Sequence, residues 1–355
     1  MNKEPLKTVY KAVSDRYTRF VRFWTEHPNT AFPLRMWERE TKKRIAREQE
    51  TLRFYTERGE KKNRLISAIL ELKWQVRSIL AICFISFSIS TFLILDNNFS
   101  FRSKSYREFV SQLDDSMLFG TAWMTARTGQ LTQRPNLFLI HMIDDMADMS
   151  EEPRLRRIVE MYLGIPGDSL WRRLADKSAE IKPPTRSELD QLEDYQRWTL
   201  YALAPAAVPL SEEEKASMFS ENAHHWGSLT HQLISLYVYW KYQGEDVDTL
   251  LDYLSERIAF EAILDIRVTD LYLQRVAFLL SVGRPDLVRP RWVERIIAKQ
   301  DTDGGWSADW HGWGPDILRF QWKEQGVNAH TTVQGMWALY MLKYRYPEWI
   351  EQNYR

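Results

Sequence analysis

The chain has 355 residues, 44% of them apolar and 27% charged, with a formal net charge of zero. That is enough apolar content to build the core of one large domain with an accessory region. Its single cysteine, Cys83, excludes an intramolecular disulfide and a thiolate metal cluster. Tryptophan is frequent, 15 residues, which fits large rings filling helix–helix layers, or rings lining a cleft and stacking on a ligand.

The zero charge hides an asymmetry. Residues 1–77 carry 19 Lys/Arg and 10 Asp/Glu, leaving 29 and 38 for the rest. Residues 1–33 hold short amphipathic pieces broken at Pro28 and Pro33, and residues 34–77 read as a long polar helix with a break at Gly59. Such a basic helical segment pairs with a partner protein through residues 34–77 or rests on anionic headgroups. Acidic residues interleaved throughout argue against nucleic acid.

Residues 78–95, SILAICFISFSISTFLIL, contain no charge and are bracketed by Arg77 and Asp96. Eighteen helical residues span about 27 Å, close to a bilayer core. The expectation is one transmembrane helix over 78–95, with a buried soluble helix as the alternative because serines dilute the run. The basic N-terminal side predicts a cytoplasmic segment over 1–77 and an extracytoplasmic domain over 105–355.

From about residue 105 the pattern is helical throughout. Leu229 to Gly244 and Val268 to Gly283 both run from a Thr through an apolar helix to a terminal glycine, and the two glycines are 39 residues apart. A second helix follows each. Units of about 40 residues built this way are αα-hairpins, which bury their apolar faces only by stacking, in an open solenoid or a closed ring. A further copy starts at His330, and a degenerate earlier one at Tyr195.

The segment Gln300-Asp301-Thr302-Asp303-Gly304-Gly305-Trp306 follows a helix-like run. There the Gln amide can bond exposed carbonyls, the glycines allow a tight turn, and the Trp packs back over it. With Ile296 ahead of it, this segment resembles the QW motif of squalene–hopene cyclases and the wider α/α-toroid superfamily. It departs at Arg295, where that family has an aromatic, and one good copy is present. The resemblance implies an α/α toroid and transfers no catalytic residue; with the uncharged run before it, the expected chain is all-α, a single transmembrane helix followed by the toroid.

Candidate site residues come from the C-terminal half. His224 and His330 precede or begin helices that the repeat makes equivalent, so both are expected on one rim. Between them lies a loop rich in Trp, Gly and Asp: Trp306, Asp309, Trp310, His311, Trp313 and Asp316. Trp faces stack on sugar rings while carboxylates and imidazoles bond hydroxyls. The expected constellation is His224, His330 and Asp309 as catalytic groups, with Trp306, Trp310, Trp313, His311, Asp303 and His225 binding the ligand. Asn222 and His224 also resemble two positions of a motif in toroidal alginate lyases. Asp144-Asp145-Met146-Ala147-Asp148 spells the DDxxD of isoprenoid synthases, but that family's second metal motif and the cyclases' DxDD are absent. The three aspartates therefore read as a solvated acidic helix end, and no metal or cofactor is expected.

These features point to a membrane-tethered domain that binds or cleaves a cell-envelope polysaccharide, as a polysaccharide lyase or glycoside hydrolase if catalytic. A non-enzymatic scaffold binding a partner protein, and a cyclase- or prenyltransferase-like enzyme acting on a polyprenyl lipid, are the alternatives.

Overall fold

The computed structural model describes residues 42, 43, 45, 46, 49, 74–100, 104–133, 137–167, 170–180, 182–221, 224, 227–307, 310–313, 320–323 and 326–355. Most of the basic segment 1–77, and most of its stretch 34–77 expected to bind a partner, lies outside the described residues. Contacts divide the chain into two units, residues 1–85 with 313–321 and residues 86–312 with 322–355.

Helix α1, Trp74–Asn98, carries the uncharged run. It is long and apolar enough to cross a membrane. Its side chains are exposed from Ile79 to Leu93. A buried soluble helix would show the opposite pattern.

Among its described residues the second unit is helical apart from an isolated bridge, Ser307 with Val327, and part of one short hairpin. Helices α2 (Tyr106–Ala126), α3 (Thr128–Gln133), α4 (Leu137–Ser150) and α5 (Pro153–Leu163) open it. A 3-10 turn, Leu170–Leu174, precedes α6 (Arg186–Leu189), α7 (Asp194–Leu203) and α8 (Glu212–Met218). Then come α9 (Gly227–Gln243), α10 (Asp248–Leu264), α11 (Asp270–Ser281) and α12 (Pro290–Ala298). Strands β1 (Trp310–Trp313) and β2 (Phe320–Lys323) pair with each other. The unit closes with α13 (Ala329–Tyr340), a π turn over Met341–Arg345, and α14 (Pro347–Tyr354).

Local sequence sets these boundaries. Ser211 and Glu214 form a capping box at the start of α8, as Thr185 and Glu188 do at α6. Pro153, Pro290 and Pro347 occupy first turns, where a missing N–H costs nothing. Gly244 and Gly283 follow the ends of α9 and α11 with φ of 71° and 82°, the left-handed geometry that ends a helix without a Cβ clash. The repeat in the sequence is therefore a repeat of helix, left-handed glycine, helix.

Packing follows from these pairs. Helix α4 packs on α13 and on the 3-10 turn; the turn packs on α7, α7 on α9, α9 on α11, and α11 on α13. The intervening helices pack against these: α5 against α4, α8 against α7, α10 against α9 and α11, α12 against α11. The core that fills this arrangement includes Trp292, Trp306, Trp337, Tyr272 and Phe278, all with at most 2% exposure.

The Gln300–Trp306 segment binds this body together. The Gln300 side-chain amide donates to the Ser116 carbonyl at 2.9 Å and the Gly304 carbonyl at 2.7 Å. Its oxygen accepts from the Ser116 hydroxyl. The Trp306 indole donates to the Ile296 carbonyl at 2.8 Å, and the Trp306 backbone bonds Thr331 and Thr332. One turn thus ties α2, α12 and α13. Gly304, with φ of 95°, passes so close to Phe119 that a Cβ would lie 2.4 Å from its carbonyl oxygen.

The end of α1 is fastened to the same body. Asn97 and Asn98 are buried. The Asn97 amide donates to the Ala262 and Ile263 carbonyls, and Asn98 donates to Ile263 at 2.8 Å. Tyr272 and Arg295 donate to Asn97 Oδ1, and the Trp292 indole donates to Asn98 Oδ1. Arg291 pairs with Asp96 at 2.7 Å.

Candidate functional site

A cavity of about 360 Å³ lies among α4, the 3-10 turn, α7, α9, α11 and α13. Much of its wall comes from the first two turns of the helices around it: Phe138 of α4, Tyr195 and Gln196 of α7, His231 of α9, Gln274 of α11, His330 and Gln334 of α13. The N-terminal, partially positive ends of several helices therefore meet at one place.

The lining combines aromatic faces with amides and imidazoles. Trp171, Tyr195, Phe138 and Phe278 supply rings. Tyr195 stacks on His231 with centroids 4.1 Å apart. Phe138, Phe278 and Trp337 meet edge to face, and His141 joins them from α4. Trp337 and His141 are buried and lie further along their helices than His330 and Phe138. His141 bonds the Leu174 carbonyl through Nδ1 at 2.9 Å, and burial, with Lys241 nearby, pushes its pKa down to about 4. It is a neutral, structural histidine.

His330 behaves differently. Its side chain is 39% exposed. Nε2 lies 3.1 Å from Asp270 Oδ1 and 3.1 Å from the side-chain nitrogen of Gln334. Gln334 is 1% exposed, and its Oε1 is buried without a hydrogen-bond partner. Buried side-chain acceptors nearly always have a donor, and an orphan costs about 1–3 kcal/mol. In a cavity wall, an orphan acceptor is a place for a ligand hydroxyl or N–H. Gln274, 4% exposed, is oriented by Thr230, whose hydroxyl donates to its Oε1. Thr199, also in the lining, bonds Ser235 at 3.0 Å.

The expected constellation is redistributed. His330 lines the cavity, but His224 does not. His224 precedes α9, bonds the Ser217 carbonyl at 3.0 Å, and sits edge-on to Trp198. Its neighbour in sequence, His231, lies on the first turns of α9 and takes the cavity position instead. Trp306 is 1% exposed and belongs to the core, so it offers no face to a ligand. Asp303 accepts from the Trp123 indole at 2.9 Å and pairs with Arg127, holding the turn to α2. Trp310, His311 and Trp313 lie on β1. Asp309 and His225 lie outside the described residues.

Among the described residues that line the cavity there is no Asp or Glu; Asp270 reaches it through His330. Among the described residues no cluster of ligands suits a metal ion. The aspartates of the DDxxD run are paired with arginines, and Asp148 is exposed to solvent as well. Asp144 and Asp148 both bond Arg156, and Asp145 takes Arg345 at 2.9 Å and the Trp337 indole at 2.7 Å.

Sequence reading missed Gln274 and Gln334 because a glutamine inside an apolar helix passes for a satisfied core polar group. A signal was available: Asp270/Gln274 and His330/Gln334 repeat one spacing, a polar residue at the helix start and a glutamine one turn later. Comparison with protein-family models, curated proteins and solved structures returns no match.

Proposed function

We propose that this is a single-pass membrane protein whose helical body, an α/α toroid, binds a saccharide segment of a cell-envelope polysaccharide in the cavity between its inner helices. The observation that carries the reading is the buried, unpartnered Gln334 Oε1 beside His330 in an aromatic-walled cavity. Sugar rings present apolar C–H faces to aromatic side chains and hydroxyls to amides and imidazoles, and this lining offers both. The toroid reading rests on the closed circuit of packing from α4 through α7, α9, α11 and α13 back to α4. The glutamine–tryptophan staple at Gln300 and Trp306 agrees with it.

Cleavage is the second reading, and the His330–Asp270 pair favours it. The Asp270 carboxylate lies 3.1 Å from the imidazole Nε2, an acid–base pair of side chains at the cavity edge. That suits proton abstraction in a lyase better than hydrolysis, which calls for two carboxylates flanking the bond.

The test is thermal unfolding of the detergent-solubilised chain against a panel of neutral and uronic-acid oligosaccharides. A ligand that binds the native state raises Tm in proportion to the logarithm of its concentration. A Tm shift by one class of oligosaccharide, absent in His330→Ala, supports the reading; a flat response across the panel contradicts it. Orientation is tested by a reporter fused after Arg355 that works only in the cytoplasm, which this reading predicts to be silent.

A further inference from the structure

The end of α1 enters the helical body beside exposed apolar side chains that nothing in the body covers. Phe99, directly after the helix, is 57% exposed. Phe260 is 62% and Leu264 44% exposed, both on the last turns of α10. These are the turns whose carbonyls, at Ala262 and Ile263, receive the amides of Asn97 and Asn98. The three apolar side chains are thus grouped around the point where the apolar helix ends.

Charge at this end is arranged in a particular way. The carboxylates are held by partners: Asp265 and Glu261 bind the buried Arg275, Glu294 takes Ser100 and Arg291, and the partly exposed Asp96 pairs with Arg291. Arginines occupy the outside. Arg289 lies 5.8 Å over the rings of both Phe99 and Trp292, and Arg267 is 43% exposed. Exposed apolar tips among arginines, with the nearest acids neutralised by arginine partners, match the boundary between lipid headgroups and acyl chains.

We propose that Phe99, Phe260 and Leu264 insert into the headgroup–acyl boundary of the bilayer around the exit of α1, with Arg267 and Arg289 at phosphate level. This rests on the reading that α1 crosses the membrane. The bilayer is the occupant because the patch continues the exposed apolar surface of α1 itself. The asparagine lock at Asn97 and Asn98 replaces a flexible tether, so the body sits on the membrane at a fixed attitude. Helix α11, which takes Asn97 through Tyr272, also carries Asp270 and Gln274 at the cavity. The seat therefore holds the cavity at a fixed height above the lipid.

The experiment is nitroxide accessibility on the full chain in vesicles of phosphatidylcholine and phosphatidylglycerol. In a Cys83→Ser background, single labels are placed through Phe260→Cys and Leu264→Cys. Phe87→Cys reports the span, and Glu213→Cys on α8 reports the aqueous face. All four positions are exposed, so labelling disturbs no core contact. The proposal predicts that collisions with oxygen exceed those with a water-soluble nickel chelate at 260 and 264, as at 87, with the reverse at 213. Labels at 260 and 264 that behave like 213 while 87 keeps its lipid signature would overturn the seat and leave the span standing. A water-exposed signature at 87 would remove the span, and the seat with it.

Discussion

Tyr272 donates its phenolic hydrogen to Asn97 Oδ1 at 3.0 Å, joining residues 175 positions apart in sequence. Both side chains are fully buried. A polar residue at the end of an apolar helix would ordinarily face water. Here it is the joint between the helix and the body, and its four partners are backbone carbonyls, a phenol and a guanidinium.

Loss of that joint should be costly. Asn97→Leu takes the acceptor from the Tyr272 hydroxyl and from one Arg295 N–H, and the side-chain donor from the Ala262 carbonyl, each worth about 1–3 kcal/mol when buried, while Ile263 keeps Asn98. The expected result is destabilisation of about 3 kcal/mol or more in chemical denaturation of the body, and retention in the membrane fraction. Asp96→Asn, at a half-exposed pair with Arg291, should cost under about 1 kcal/mol.

Trp306→Ala removes a buried indole that also donates to Ile296. A loss of about 3–5 kcal/mol is expected, measured as the shift in denaturant midpoint at constant slope. A neutral outcome would show that the turn is held without it.

The positive-φ glycines separate strain from space. Gly304→Ala would bring a methyl group 2.4 Å from the Phe119 carbonyl oxygen, and that oxygen is backbone. Gly244→Ala and Gly283→Ala meet nothing within 4 Å. The latter two should each cost about 1–2 kcal/mol from backbone strain alone; Gly304→Ala should cost clearly more, as judged by Tm.

Two buried groups shift stability with pH in opposite directions. His141 has its pKa lowered to about 4 by burial, so the unfolded chain takes up the proton first; stability falls as pH drops from 6.5 towards 4. Asp144 has its pKa raised to about 6 by burial and by Asp148, so the folded chain holds the proton; stability falls as pH rises from 4 towards 6. Asp144→Asn should therefore raise Tm at pH 7.5 and leave it unchanged at pH 3.5. His141→Gln should flatten the acid limb. Unfolding curves across pH 3.5–8 check both.

Some of this was legible in the sequence and some was not. The left-handed glycines announced the hairpins because only their backbone freedom makes Gly244 and Gly283 useful after apolar helices. Gln300 and Trp306 were legible because a glutamine next to Gly-Gly-Trp has carbonyls to satisfy. The candidate site was only partly legible. His330 could be placed from its repeat position, but Trp306 looked like a sugar platform when its indole N–H was needed by Ile296. His224 looked equivalent to His330, yet it stands before the helix rather than on it. The role of Asn97 depends on carbonyls 165 residues away, which no local pattern reveals.

The central claim, that the cavity beside His330 takes a hydroxyl-bearing ligand, is tested most directly at Gln334. An orphan acceptor kept for a ligand is a liability to the empty protein, so Gln334→Leu should leave Tm unchanged or higher. The measurement is oligosaccharide affinity, by titration calorimetry, of the wild type and Gln334→Leu, alongside their Tm. The account predicts at least a tenfold loss of affinity with no loss of stability. Unchanged affinity, or affinity lost only together with Tm, would contradict it.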